Sequence, residues 1–221
     1  MLVINMPSYE MFAVELIYTL VVVFLCFVVY YKTKGIYDLT KYKGIGYFRN
    51  AFLFFGLAYA SRFILHLVQL TTFTFDFIIP KRMVFPLFMI PTGYFSTMAI
   101  FYLAYSIIWK KIKYEHFLTF GNTIAVILSA VAFISRSHIL LSILQLLLLI
   151  FSIVLIIIKH KKPRKKLHTK ALYILISIFW LINLFLLGPR RLLSFGIKFL
   201  FQLISIIVFI IIYYKVKKWV K

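Results

Sequence analysis

Acidic residues are scarce: Glu10, Glu15, Asp38, Asp76 and Glu115 are the five among 221 residues. They are scattered, and only Glu15 falls inside an apolar stretch, so no paired-carboxylate catalytic site is expected. Cys26 is the one cysteine, which excludes a disulfide within the chain. A lone thiol in an apolar run is most simply a packing residue. The five histidines are equally dispersed, and only His66 lies clearly within an apolar stretch. That excludes a bis-histidine haem and a His/Cys metal cluster supplied by this chain alone. Gly-x-Ser-x-Gly and the other nucleophile motifs are missing too. The expectation is a protein that is not an enzyme and has no cofactor and no metal.

Apolar sequence is what the chain has in excess. Seven stretches, at about 11–31, 47–70, 83–109, 117–134, 138–158, 171–187 and 195–214, approach or exceed the length of a membrane span. Crossing the hydrocarbon core takes roughly 20 helical residues at about 1.5 Å each. Hydropathy is highest in the fifth and seventh. The sixth is short and runs into Gly188-Pro189, a helix stop. The longest gap, between the first two stretches, is about fifteen residues of presumed loop, too short for a soluble domain. The N-terminal MLVINMPSYE lacks a basic n-region and a small-residue cleavage site, so it does not read as a signal peptide. The predicted fold is an all-α integral membrane protein, a seven-transmembrane-helix bundle forming one polytopic domain over 1–221.

Charge sets the orientation. Lys32, Lys34, Lys41 and Lys43 occupy the first gap, Lys110, Lys111 and Lys113 the third. The fifth gap holds Lys159, Lys161, Lys162, Arg164, Lys165, Lys166 and Lys170, and the tail holds Lys215, Lys217, Lys218 and Lys221. These 18 cations face only Lys81, Arg82, Arg136, Arg190 and Arg191 in the alternate gaps. With short loops, that asymmetry predicts the N-terminus outside and the C-terminus in the cytoplasm. The net charge of +21 is therefore an orientation signal, and nucleic acid is not an expected partner. The expected partners are the lipid bilayer and another membrane protein. Lys161, Lys162, Arg164, Lys165 and Lys166 could also hold anionic lipid headgroups, although topology alone accounts for them. Abundant Lys, Ile, Phe and Tyr with few Ala and Gly suggest an AT-rich prokaryotic genome and hence a prokaryotic cytoplasmic membrane.

Ionisable side chains within spans are costly and serve as functional-site candidates. Here they are Glu15, Arg62, His66 and Lys198. Arg62, His66 and Gln69 share one helical face, at i, i+4 and i+7, and Lys198, Gln202 and Ser205 repeat that spacing in the seventh span. All four ionisable groups fall in the outer half of the bilayer. If the first, second and seventh helices adjoin in a closed seven-helix ring, the stripes meet. Glu15 then either pairs with Arg62 or Lys198 as interhelical glue, or takes part in an outward-facing pocket with a positive excess. Pro86 and Pro91 should kink the third span. Asn122, Gln145 and Asn183 each offer an amide for an interhelical hydrogen bond. A lysine in the last of seven helices invites comparison with rhodopsins. The comparison fails, because Lys198 lies too near the outer end for a mid-membrane Schiff base and the third span has no acidic counter-ion.

Two readings follow. One is a non-enzymatic receptor-like or accessory module, holding an anionic or amphiphilic ligand or a partner helix from the outer side. The other is a small solute or lipid carrier built as a 3+1+3 arrangement of helices. Apolar inner halves such as VVVFLCFVV and IIVFIII favour the module, since they give a charged solute no path.

Overall fold

The structure, a computed structural model, describes residues 9–74, 81–110, 114–159, 167–186 and 194–220. Those residues form seven α-helices: α1 (Tyr9–Thr40), α2 (Lys43–Thr74), α3 (Lys81–Ile108), α4 (Tyr114–Ser135), α5 (His138–Lys159), α6 (Leu167–Leu186) and α7 (Phe195–Val220). Five are long and apolar enough to cross a membrane, over Phe12–Thr40, Lys43–Thr71, Pro86–Ile108, Leu118–Ser135 and Phe195–Lys218. The apolar parts of α5 and α6 are shorter among the described residues, at Ile139–Leu155 and Ala171–Leu186. The described residues are thus all-helical, with five helices long and apolar enough to cross a membrane.

The first gap differs from expectation. Instead of a loop, α1 continues through Lys32, Lys34 and Gly35 to Thr40, and α2 starts at Lys43. Lys41 enters the left-handed region (φ 49°), and its N–H donates to the Tyr37 carbonyl at 2.8 Å, which closes the helix end. The polar run gave the appearance of a loop, but it contains no proline, so both helices extend into it and only residues 41 and 42 separate them. Each of these two helices has 32 residues, about 48 Å at 1.5 Å per residue, against a hydrocarbon core of about 30 Å. Each is therefore longer than that core is thick. The α4–α5 reversal uses the same left-handed device at Arg136 (φ 49°), followed by Ser137, whose Oγ accepts the Leu140 N–H at 3.2 Å as an N-cap.

Helix neighbours also correct the closed seven-helix ring. Packing runs α1–α2–α3–α5–α6–α7 and back to α1, a ring of six. Outside it, α4 rests on α3 and α5. Aromatic side chains cross the ring interior: Phe52 meets Phe209 (5.8 Å between centroids), Phe55 meets Phe179 (5.3 Å), and Phe179 meets Phe209 (4.8 Å). Phe48 reaches Tyr173 on α6 at 5.9 Å. Lipid supplies little hydrophobic drive between helices, so such close packing and the interhelical hydrogen bonds hold the ring. Cys26 is completely buried, and a Cβ on Gly56 would lie 3.1 Å from its Cβ, so the glycine permits the close α1–α2 approach. The α3 helix is continuous from Lys81 to Ile108 through both prolines.

Candidate functional site

The α1 N-terminal half, the α2 C-terminal half and the start of α7 converge at one end of the ring. Lys198 Nζ lies 3.2 Å from Glu15 Oε1, forming an ion pair. Side-chain exposures of 7% for Lys198 and 17% for Glu15 make this a largely desolvated contact. Of the two partners the sequence left open for Glu15, Lys198 is thus one it holds. Ser205, two turns along α7, meets Tyr18, one turn along α1, at 2.9 Å. The α7 stripe therefore faces α1 along its length, with Lys198, Gln202 and Ser205 all buried.

Arg62 does different work. Its guanidinium lies over the Tyr59 ring, 4.9 Å from the centroid, and its Nη1 is buried with no hydrogen-bond partner among the described residues. His66, one turn further along α2, packs edge-on against Phe12 at 5.7 Å. Together with Glu15, Tyr18, Thr19, Leu186, Lys198 and Gln202, these two side chains line a small polar vestibule enclosing about 280 Å³, its open side included. Gln202 turns its Oε1 inward, buried and with no hydrogen-bond partner among the described residues. Gln69, the third member of the α2 stripe, does not line it. The i+7 position sits one turn nearer the helix end, where α2 has left the cluster.

A second cavity adjoins the first at Arg62 and encloses about 400 Å³, again counting its open side. Its walls come from α2 (Phe55, Ala58, Tyr59), α3 (Thr92, Ser96, Ile100), Gln145 of α5, and α6 (Trp180, Asn183, Leu184). Most of its polar groups are already engaged. Gln145 Nε2 donates to Ser96 Oγ and, at 3.4 Å, to Thr97 Oγ1. Ser96 Oγ donates back to the Thr92 carbonyl at 2.6 Å. What remains exposed to the cavity is mainly apolar side chain.

Between the cavities lies a closed hydrogen-bond circuit. Asn183 Nδ2 donates to Ser205 Oγ (3.1 Å), and Ser205 shares a hydrogen with Tyr18 (2.9 Å). The Tyr18 hydroxyl lies 2.6 Å from Asn183 Oδ1, the acceptor that Tyr59 also reaches. The second amide hydrogen goes to the Phe179 carbonyl at 2.7 Å. With Ser205 donating to Tyr18, every donor has one acceptor, and α1, α2, α6 and α7 are tied at one point. Asn183 was legible only as a single amide. Its hub role depends on Tyr18 and Tyr59, which carry no intramembrane charge to mark them. A further basic residue, Arg49, was overlooked in the sequence because it sits near a span border. It lies between the Tyr30 and Tyr37 rings, at 5.0 and 4.8 Å from their centroids.

The lysines and arginine considered for anionic lipid (Lys161, Lys162, Arg164, Lys165 and Lys166) lie outside the described residues. Among the described residues no group of three His, Cys, Asp or Glu side chains is positioned to hold a metal ion. Electrostatically the vestibule combines one engaged ion pair with one further fixed cation. That cation, Arg62, meets the Tyr59 side chain and has no anionic partner among the described residues.

No family model matches the chain, and no solved structure matches it. It is similar to a protein of Archaeoglobus fulgidus described as an uncharacterized protein, with 29% identity over 217 residues, covering 96% of this chain and 95% of that one.

Proposed function

We propose that the chain is a non-enzymatic multi-pass protein of the cell membrane, a receptor-like or accessory module whose vestibule binds an anionic ligand from the outer side. The reading takes all seven helices as spans, with the N-terminus outside and the C-terminus in a prokaryotic cytoplasm. Arg62 is the observation that carries it. Lys198 already neutralises Glu15, and Arg62 still presents a buried Nη1 without a hydrogen-bond acceptor among the described residues. A buried donor left unmet is expensive, and an anion removes that penalty. The aromatic packing of Phe48, Phe52, Phe179 and Phe209 supports a module over a carrier, since it fills the ring on the cytoplasmic side of the cavities.

A carrier of 3+1+3 design is the second reading, and the helix neighbours favour it. Exchanging α1–α3 for α5–α7 maps the ring onto itself, with α3–α5 taking the place of α7–α1. That leaves α4 outside as the linker. Thermal unfolding of the full chain in nanodiscs, with acetate, chloride or phosphate added, separates the possibilities. Carboxylate should raise the Tm of the wild type and fail to do so in Arg62→Gln. Reconstituted vesicles should show no protein-dependent uptake of the same anion. Saturable uptake would replace the module by the carrier, and an unchanged Tm with every anion would remove the anion site.

A further inference from the structure

Arg62 also lines a second, largely apolar chamber, and that shared position defines the ligand more narrowly. We infer that the ligand is a single-chain monocarboxylate amphiphile, its carboxylate on Arg62 and its hydrocarbon chain in the chamber between α2, α3, α5 and α6. The inference rests on the anion reading above and adds the chemical class.

Three observations carry it. The first is charge: beside the Glu15–Lys198 pair, Arg62 is a further cation among the described lining residues, and an anion would meet it. Second, the guanidinium belongs to both cavities, because Arg62 lines the polar vestibule and the apolar chamber alike. A planar fork whose face is covered by Tyr59 and whose Nη1 lacks an acceptor among the described residues offers its edge to a planar carboxylate. Third, the chamber is apolar beyond that point. Phe55, Ile100, Trp180 and Leu184 wall it, while Gln145 Nε2, Ser96 Oγ and the Asn183 amide are already hydrogen-bonded. Apolar space of this kind stays dry and accepts hydrocarbon.

The test is a series of straight-chain carboxylates, from acetate upward, titrated against the full chain in nanodiscs. Intrinsic fluorescence is read from Trp180 in a Trp109→Phe, Trp219→Phe background, with Tm as the second readout. Affinity should climb roughly three- to fourfold per added methylene and then level off when the chamber is full. Ala58→Leu, which narrows the chamber, should bring the plateau to shorter chains, and Leu184→Ala should move it to longer ones. Arg62→Gln should weaken every member of the series, acetate included. A flat series in which acetate binds as well as longer acids, still lost in Arg62→Gln, would overturn the amphiphile and keep the anion site. A series that rises without a plateau and ignores all three substitutions is partition into the bilayer, and it overturns the inference. Absence of any carboxylate effect on the wild type, acetate included, would sink the anion site and the amphiphile together. If Ala58→Leu fails to fold, the Leu184→Ala shift alone decides whether the chamber holds the chain.

Discussion

Glu15 and Lys198 lie 183 positions apart and meet at 3.2 Å. Each belongs to a helix whose neighbours are mostly apolar, so neither charge is tolerable there without its partner. Neutralising one alone leaves a poorly solvated ion, and Glu15→Gln should destabilise the protein by about 3 kcal/mol, the lower end of what breaking a buried pair costs. The double variant Glu15→Gln, Lys198→Gln should recover part of that loss, which a double-mutant cycle in detergent unfolding measures. Additive losses would mean the pair is not coupled. Arg62 behaves differently at this scale: its replacement by Gln removes a cation with an unmet donor, so the stability loss should be smaller than for Glu15→Gln even as ligand binding disappears.

At the scale of elements, the α1–α2 reversal depends on one backbone position. Lys41 holds φ at 49°, a conformation that glycine adopts freely and β-branched residues resist. Lys41→Ile should therefore be less stable than Lys41→Gly by about 1–2 kcal/mol, as read from urea or thermal unfolding in the same detergent. Equal stabilities would show that the hairpin is not closed by this residue. This element was also where sequence reading failed. A run of basic residues between two apolar stretches looks like a loop by composition, yet without proline it can continue both helices. The α4–α5 turn falls in the gap between the stretches 117–134 and 138–158, and there Ser137 caps the second helix.

For the whole molecule, the charge asymmetry leads to a directional experiment. In a Cys26→Ser background, a cysteine placed at Arg136 should react with an impermeant maleimide added to intact cells, and one placed at Pro163 should react only after lysis. The reverse pattern would invert the orientation. Labelling at both sites in intact cells would remove a span between them.

What the amino-acid sequence determined by itself is the class and the candidates. Apolar length forces helices, because backbone polar groups in hydrocarbon must be satisfied within the segment. The scarcity of ionisable residues in those stretches singled out Glu15, Arg62, His66 and Lys198, and the 3.6-residue repeat put Lys198, Gln202 and Ser205 on one face. All these are local properties, readable along one helix at a time. Which partner Glu15 takes, that α4 stands outside the ring, and that Asn183 joins Tyr18, Tyr59 and Ser205 are relations between helices. Periodicity says which face of a helix is special and not which helix it meets, so only the tertiary packing decided them. The apolar chamber beside Arg62 is of the same kind: four helices must come together before the space between them exists.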